Sequence, residues 1–149
     1  MRLIELAIVS LVLVMSACGG GGSSPTEPPA PPVPLEGDWS GSVTITSPNP
    51  ATCSLSLDLV RDGPDYLGDW EARCPDGTQG DGFVFVTSLI ANQVVVVAAP
   101  VGSTPVFGGC SWTSSALREG NRLRGEDWGT TQNCPTGPVL RGRLELTKR

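Results

Sequence analysis

The chain has 149 residues, a formal net charge of −5 and no histidine. An acidic chain of this composition lacks the clustered positive charge with which proteins bind nucleic acid, so we expect no nucleic-acid partner. Without histidine it also lacks the base of a Ser-His-Asp or Cys-His catalytic site, and we expect the protein not to be an enzyme.

The first predicted element is an apolar run over residues 6–17 that ends in the sequence VMSAC. A run of this length is shorter than the roughly 20 residues that span a bilayer, and it has the length of a signal-peptide core. VMSAC resembles the bacterial lipobox, in which small residues precede a cysteine that is acylated and becomes the new N-terminus. The resemblance implies that residues 1–17 are a lipoprotein signal peptide and that Cys18 carries the lipid.

The membrane is the partner that this resemblance implies, through lipidated Cys18. Gly19 stands where an aspartate would retain the lipoprotein in the inner membrane of enteric bacteria. The expected location is therefore the bacterial cell envelope, at the outer membrane. Residues 18–36 then form a Gly/Ser/Pro-rich tether that we expect to be disordered, with six prolines between Pro25 and Pro34. Proline-rich chain rises about 3.1 Å per residue, so this tether lifts the following domain clear of the membrane surface.

Residues 37–149 form the predicted domain. They show the alternation of apolar and polar side chains that predicts β-strands, with Gly, Pro, Asn and Asp between the alternating segments. The predicted strands lie at residues 38–46, 53–61, 66–74, 82–89, 93–99, 110–118, 122–129 and 139–148. Regular strands with short turns favour an all-β fold, an eight-stranded antiparallel up-and-down barrel, with a β-sandwich as the alternative.

Four cysteines follow Cys18, and an even number in an exported chain indicates two disulfides. Folding the second and third strands about a turn at residues 63–64 places Cys53 opposite Cys74. Directly opposite positions on antiparallel strands are about 4.5–5.5 Å apart, which is within disulfide reach. The same register sets Leu57 against Trp70.

The remaining two cysteines, Cys110 and Cys134, would then pair and tie the sixth strand to the loop before the eighth. A zinc site would need closely spaced ligand pairs, usually with histidine, and the cysteines are far apart in the sequence. We therefore expect neither a metal site nor a cofactor.

The last two strands allow a register to be predicted from their charges. Pairing Arg122 with Glu145 puts opposite charges across from each other, and it leaves Arg124 facing Arg143. A like-charge pair across strands is mildly unfavourable. It marks either an anion-binding patch on the outer wall or a solvated face.

The acidic residues are unevenly distributed along the domain. Residues 38–90 hold eight acids and two bases, whereas residues 91–149 hold four acids and seven bases. Asp69 and Glu71 share the strand face opposite Trp70, so we expect them to be surface charges. The segment at 74–82 has two aspartates near glycines but lacks the spacing of a calcium loop, and a plain turn is the favoured interpretation.

One set of residues forms a candidate ligand pocket. By alternation, Trp39, Trp70, Trp112 and Asp127 face the inside of the barrel. Aromatic side chains with one polar group are typical of a pocket for a small apolar ligand. In the alternative, the tryptophans are ordinary core and Asp127 lies at the solvated rim. Trp128 would face outward as a partner contact, unless a bulge resets the alternation.

The segments GDWSGSVTI, YLGDWEA and TTQNCPTGPVLRGRLELTK resemble the meander of avidin-like and lipocalin-like barrels, the calycin type. This resemblance implies a barrel that binds a ligand without catalysis. Avidin-type barrels have a tryptophan before the last strand and an aspartate within it. This chain has residues 134–136 and Leu144 at those places, so we predict no biotin binding.

A second resemblance suggests a different class of function. The opening GDW…CSLSL is similar to that of periplasmic metalloprotease inhibitors, small disulfide-bonded barrels whose N-terminal segment inserts into the protease. Two functions are therefore expected as alternatives. One is a membrane-anchored binding module for a small apolar ligand, and the other is a protein-interaction or protease-inhibitor-like domain that binds an envelope protein.

Overall fold

The structure is a computed structural model that describes residues 34–90, 92–102, 105–131, 134 and 137–149. Within these ranges the strands are β1 Gly37–Ser47, β2 Ala51–Asp62, β3 Asp65–Arg73, β4 Gln79–Ser88, β5 Gln93–Pro100, β6 Trp112–Glu119, β7 Arg122–Thr130 and β8 Arg141–Lys148. Consecutive strands pair antiparallel, and β8 pairs with β1 to close a barrel. The predicted up-and-down barrel is confirmed and the sandwich alternative is excluded.

Part of the sequence-based prediction lies outside the described residues. These are the signal peptide at 1–17, the lipidation site Cys18 and the tether as far as residue 33. In the described part of the chain, no helix has the length and apolar character needed to cross a membrane.

The alternation of side chains builds the core. In β2, for example, Cys53, Leu55, Leu57 and Leu59 are buried, while the residues between them point toward solvent. Each fully buried aliphatic side chain contributes about 1.5–3 kcal/mol relative to exposure. All four tryptophans belong to this core and are at most 1% exposed.

The register of β2 and β3 agrees with the prediction. Leu57 lies opposite Trp70, and Cys53 is disulfide-bonded to Cys74 with a Cα–Cα distance of 4.2 Å. The turn consists of residues 63–64, and Gly63 has a φ of 63°, a conformation that costs glycine little. A two-residue turn leaves no freedom for the strands to slide, which is why the sequence predicts this register correctly.

The predicted register of β7 and β8 is wrong by two residues. Arg122 lies opposite Thr147, and Arg124 lies opposite Glu145 instead of Arg143. A shift of two keeps every side chain on its predicted face, because the side-chain period of a strand is two. The connection between these strands spans residues 131–140, too long to fix the register by turn geometry. The proposed arginine pair is therefore absent from this register.

A β-bulge in β7 overturns the predicted position of Asp127. The pairing is irregular on both sides of this strand, between Ser115 and Leu117 on β6 and between Gly125 and Trp128 toward β8. The extra residue reverses the alternation, so that Asp127 is exposed and Trp128 is fully buried. This exchange avoids the cost of burying an unpaired carboxylate.

The segment that precedes β1 packs against the barrel. Leu35, which the sequence pattern assigns to the tether, is fully buried. Its carbonyl oxygen accepts a hydrogen bond from Trp39 Nε1 at 2.7 Å. Lys148 Nζ donates to the carbonyl oxygen of Pro34 at 2.8 Å. The segment before β1 therefore docks against the barrel through Leu35 and is part of the fold.

Candidate functional site

Four aromatic side chains fill one part of the barrel interior, and we call them the aromatic cluster: Trp70, Phe107, Trp112 and Trp128. The ring centroids of Phe107 and Trp128 are 5.0 Å apart, and those of Trp70 and Trp112 are 5.9 Å apart. Both pairs are edge-to-face, which is a favoured geometry for aromatic rings. Each ring is at most 4% exposed, so the cluster is a packed core.

Phe107 enters the cluster from a loop, and no sequence pattern indicates this. It lies in a 3-10 turn at Val106–Gly109, between β5 and β6. Its φ and ψ are 54° and 27°, in the left-handed region that a bulky residue rarely adopts. Such strain costs of order 1–3 kcal/mol and persists only when surrounding packing enforces it. Here the contacts of Phe107 with the tryptophans supply that packing, and the loop covers the interior.

The second disulfide lies beside this loop. Cys110 and Cys134 are bonded, with a Cα–Cα distance of 4.9 Å, as the sequence predicts. Cys110 follows the 3-10 turn directly, and its N–H donates to the carbonyl oxygen of Phe107 at 3.3 Å. The disulfide therefore ties the loop that carries Phe107 to the β7–β8 connection.

The predicted pocket residues do not form one group. Trp70 and Trp112 are in the aromatic cluster, Trp39 is hydrogen-bonded to Leu35 outside it, and Asp127 is exposed on the outside of the barrel. Trp70 Nε1 donates to the carbonyl oxygen of Ala99 at 3.1 Å. Of the four predicted residues, the three tryptophans therefore lie in the buried core, and Asp127 does not.

Three buried polar atoms in the interior have no hydrogen-bond partner among the described residues: Trp112 Nε1, Trp128 Nε1 and Ser114 Oγ. Ser114 lies directly opposite Trp128 in the pairing of β6 and β7, and it is two residues from Trp112 on the same face. Leaving such a group unpaired costs about 1–3 kcal/mol. Two N–H donors and one hydroxyl are thus concentrated beside the aromatic cluster.

The outer wall of β1, β2 and β3 carries aligned carboxylates. Asp38 lies opposite Asp58, and Asp58 lies opposite Asp69, so that three exposed carboxylates form one line across three strands. We call them the carboxylate row. None of the three has an ion-pair partner among the described residues. Like charges directly opposite each other on neighbouring strands are destabilising.

An exposed apolar surface lies next to the carboxylate row. Val60, Leu67, Phe85 and Val97 are successive cross-strand neighbours on β2 to β5, and Phe83 lies beside Phe85 on the same face of β4. We call these five residues the apolar band. Their exposure ranges from 38% at Phe85 to 65% at Phe83. A contiguous exposed apolar surface commonly marks an interaction site.

The carboxylate row lines a shallow groove of about 990 Å³ on the outer wall. Glu71 and Asp81 add two further acids to it, and two arginines also line it: Arg149 and Arg73, whose guanidinium is 2.6 Å from the Glu71 carboxylate. Among the described residues, no group of three or more His, Cys, Asp or Glu side chains is arranged to hold a metal ion.

Asp76, at the turn between β3 and β4, is already used locally. Its carboxylate accepts hydrogen bonds from the Thr78 hydroxyl at 2.7 Å and from the Thr78 N–H at 2.9 Å. These two bonds lower the pKa of Asp76 below its usual value, the hydroxyl contributing most. The favoured plain turn accounts for this residue.

The wall formed by β7 and β8, which adjoins β1 by way of β8, carries two ion pairs among the described residues. Arg122 Nη2 is 2.7 Å from the Glu145 carboxylate, and Arg143 Nε is 3.9 Å from that of Glu126. These residues are exposed, so each pair stabilises the fold by about 1 kcal/mol or less. Arg124 and Arg143 do not face each other among the described strand pairs, so the structure favours the alternative of a solvated face over an anion-binding patch.

Comparison with known proteins supports the fold. No protein-family model matches the chain, and no curated protein matches its sequence. Among solved structures the chain is similar to "EF1p2_mFAP2b bound to DFHBI", with a TM-score of 0.59 and 12% sequence identity. The match covers 77% of this chain and 94% of that one. At this identity the two proteins share a barrel fold.

Proposed function

We propose that this chain is a lipid-anchored lipoprotein of the bacterial cell envelope whose barrel is a non-catalytic, protein-binding module. Acylated Cys18 would hold it at the outer membrane, and the Gly/Pro-rich tether would carry the barrel to its partner. Two disulfides in the barrel fit an exported protein, because disulfides persist in oxidising compartments.

The observation that carries the proposal is the contrast between the inside and the outside of the barrel. The interior is filled by the aromatic cluster, whereas the outer wall exposes the apolar band. A small-molecule pocket is normally a concave cavity lined by apolar side chains. Because the chain's own rings occupy the interior, recognition is better supported on the outer wall.

The absence of catalysis rests on the residues that the chain offers. It has no histidine, so a histidine-dependent nucleophile cannot be activated. The four cysteines of the barrel are in disulfides and supply no thiolate. The aligned carboxylates lie on the exposed wall, where water solvates them.

Native mass spectrometry of the full chain, purified from its own membranes, tests this function. We expect a complex of the acylated chain with a second protein. A chain carrying only a small molecule, or no partner at all, would contradict protein binding.

The anchor is tested separately with Cys18→Ala. We expect the wild-type chain to lose residues 1–17 and gain acyl mass, and the variant to keep its unprocessed length. Acylation that persists in the variant would disprove the assignment of Cys18.

A second candidate function is a small-ligand site in the interior, and it is supported by the three unpartnered polar atoms. Trp112 and Trp128 each direct an indole N–H that has no protein acceptor, and Ser114 adds a hydroxyl. A small apolar molecule with one acceptor oxygen would match this set. The similar barrel was itself solved with DFHBI bound. Extraction of a stoichiometric molecule whose binding is lost in Ser114→Ala would favour this function over protein binding.

A further inference from the structure

We infer that the apolar band and the carboxylate row together form one docking surface for a partner segment that carries apolar side chains flanked by Lys or Arg. This inference rests on the proposed protein-binding function and names the surface and the chemistry of its occupant. The argument starts from the adjacency of the two features. Asp58 and Val60 are two residues apart on β2, and so are Leu67 and Asp69 on β3. At about 3.3 Å rise per residue, the band and the row run side by side about 7 Å apart.

The two features also meet directly. Asp69 of the carboxylate row lies opposite Phe83 of the apolar band in the pairing of β3 and β4. Phe83 is the most exposed residue of the band, at 65%. An apolar contact on the Phe83 ring would therefore bring the neighbouring part of a partner within reach of unpaired carboxylates.

The charge of this surface decides between classes of partner. An anionic membrane surface or a nucleic acid would be repelled by aligned carboxylates that form no ion pair among the described residues, although Arg73 and Arg149 line the same groove. A second copy docked with the same face would bring two carboxylate rows together. A cationic segment would instead relieve the repulsion between Asp38, Asp58 and Asp69, which gives charge complementarity to the apolar contact.

The closed barrel also restricts how a partner binds. Each of the eight described strands is paired on both sides, so it offers no free edge for an added strand. A partner that binds the wall is therefore recognised through outward-facing side chains and not by strand addition. A segment with an apolar stripe and basic residues along one flank fits the band and the row at once.

The test uses the full chain in its own cells, with the photo-crosslinking residue p-benzoylphenylalanine at Phe83 or at Leu117. Leu117 is the matched control because it is also apolar and exposed, at 43%, but lies on β6 outside the band. We expect an adduct with another protein at position 83 and none at 117. Mass spectrometry of the crosslinked peptide should find Lys or Arg beside apolar residues.

Charge variants test the role of the carboxylate row. Asp58→Asn with Asp69→Asn should lower the yield of the adduct at position 83 roughly fivefold, since two exposed ion pairs are lost. Glu126→Gln with Glu145→Gln removes two carboxylates from the other wall and should leave the yield unchanged. Thermal unfolding of the first pair of variants at a temperature no lower than that of the wild type controls for folding.

Four results would overturn the inference. An adduct at 117 alone would leave protein binding intact and show that the surface is wrong. An adduct with a second copy or with lipid would show that the proposed occupant is wrong. An adduct yield at position 83 that is unchanged in the carboxylate variants would show that charge plays no part. Absence of any protein adduct at both positions, with no partner in native mass spectrometry, would remove the proposed function as well.

Discussion

Two regions of the outer barrel wall differ in whether their charged side chains form ion pairs. On β7 and β8, arginines and glutamates form ion pairs, such as Arg122 with Glu145. On β1 to β3, three aspartates line up across neighbouring strands and form no ion pair among the described residues. The sequence shows the same division, with eight acids and two bases in residues 38–90 and four acids and seven bases in residues 91–149.

The difference indicates which side is built for stability and which is not. A paired wall stabilises the barrel slightly and presents a hydrated, mixed surface. The aligned carboxylates lower stability by mutual repulsion, and the exposed valine, leucine and phenylalanine beside them favour association. A surface that lowers stability in the free protein is more readily explained by a role in binding, because a partner can neutralise and cover it.

The largest expected change in stability comes from a substitution in the barrel interior. Trp128→Ala should lower the free energy of unfolding by about 3–5 kcal/mol, because it removes a fully buried ring from the aromatic cluster. Denaturation in urea measures this. Asp127→Ala is the matched control on the neighbouring, exposed residue, and it should change stability by less than about 0.5 kcal/mol. The reverse order of effects would refute the bulge.

Removal of the Cys53–Cys74 disulfide should have the next largest effect. It links β2 to the end of β3, two strands that carry the carboxylate row, across 21 residues of sequence. Closing a loop of this length stabilises by about 3 kcal/mol, so Cys53→Ala with Cys74→Ala should lower the unfolding free energy by about that amount. The comparison is Cys110→Ala with Cys134→Ala. This pair of substitutions removes the disulfide that joins two loops away from the carboxylate row. Unchanged urea midpoints for the first pair would contradict the expectation.

The contrast between the walls predicts charge substitutions of opposite sign. Asp58→Asn should raise the unfolding free energy by up to about 1 kcal/mol, since it relieves repulsion from Asp38 and Asp69. Glu145→Gln should lower it by up to about 1 kcal/mol, since it breaks the pair with Arg122. Both differences should shrink as salt screens the charges. Two effects of the same sign at low salt would remove the distinction between the walls.

The smallest effect is expected from Asp76, beside the acidic groove. Its pKa is lower in the folded protein, so its stabilising effect is present above about pH 4, near the unfolded pKa, and is lost as pH falls through the folded pKa. The wild type should therefore lose more stability on acidification from pH 7 to pH 3 than Asp76→Asn does. Thermal unfolding at the two pH values measures the difference. An equal or larger loss in the variant would disprove the contribution of the Thr78 hydrogen bonds.

The sequence predicts the parts of the barrel that local rules control. Alternation specifies the inward faces of β1, β2 and β3 and, through a two-residue turn, the register that joins Cys53 to Cys74. It does not specify the register of β7 and β8, because their connection is long and a shift of two preserves both faces.

The interior site could be predicted only in part. Trp70 and Trp112 follow from alternation, but Trp128 reaches the interior through a bulge that depends on pairing with two neighbouring strands. Phe107 comes from a loop in a left-handed conformation, which tertiary packing imposes against local preference. The apolar band could have been predicted from the sequence, since β4 and β5 carry apolar residues on both faces, in the runs FVFV and VVVV.

The docking of Leu35 has a mechanical consequence. If the preceding chain is a tether under tension, a pull along it first acts on a side chain buried in the core and on the hydrogen bond from Trp39. The pulling force would therefore act on the packing of Leu35 before it acts on the hydrogen bonds that join β1 to β2 and β8. Leu35 would thus hold the preceding chain against the barrel and protect the pairing of β1 from tension.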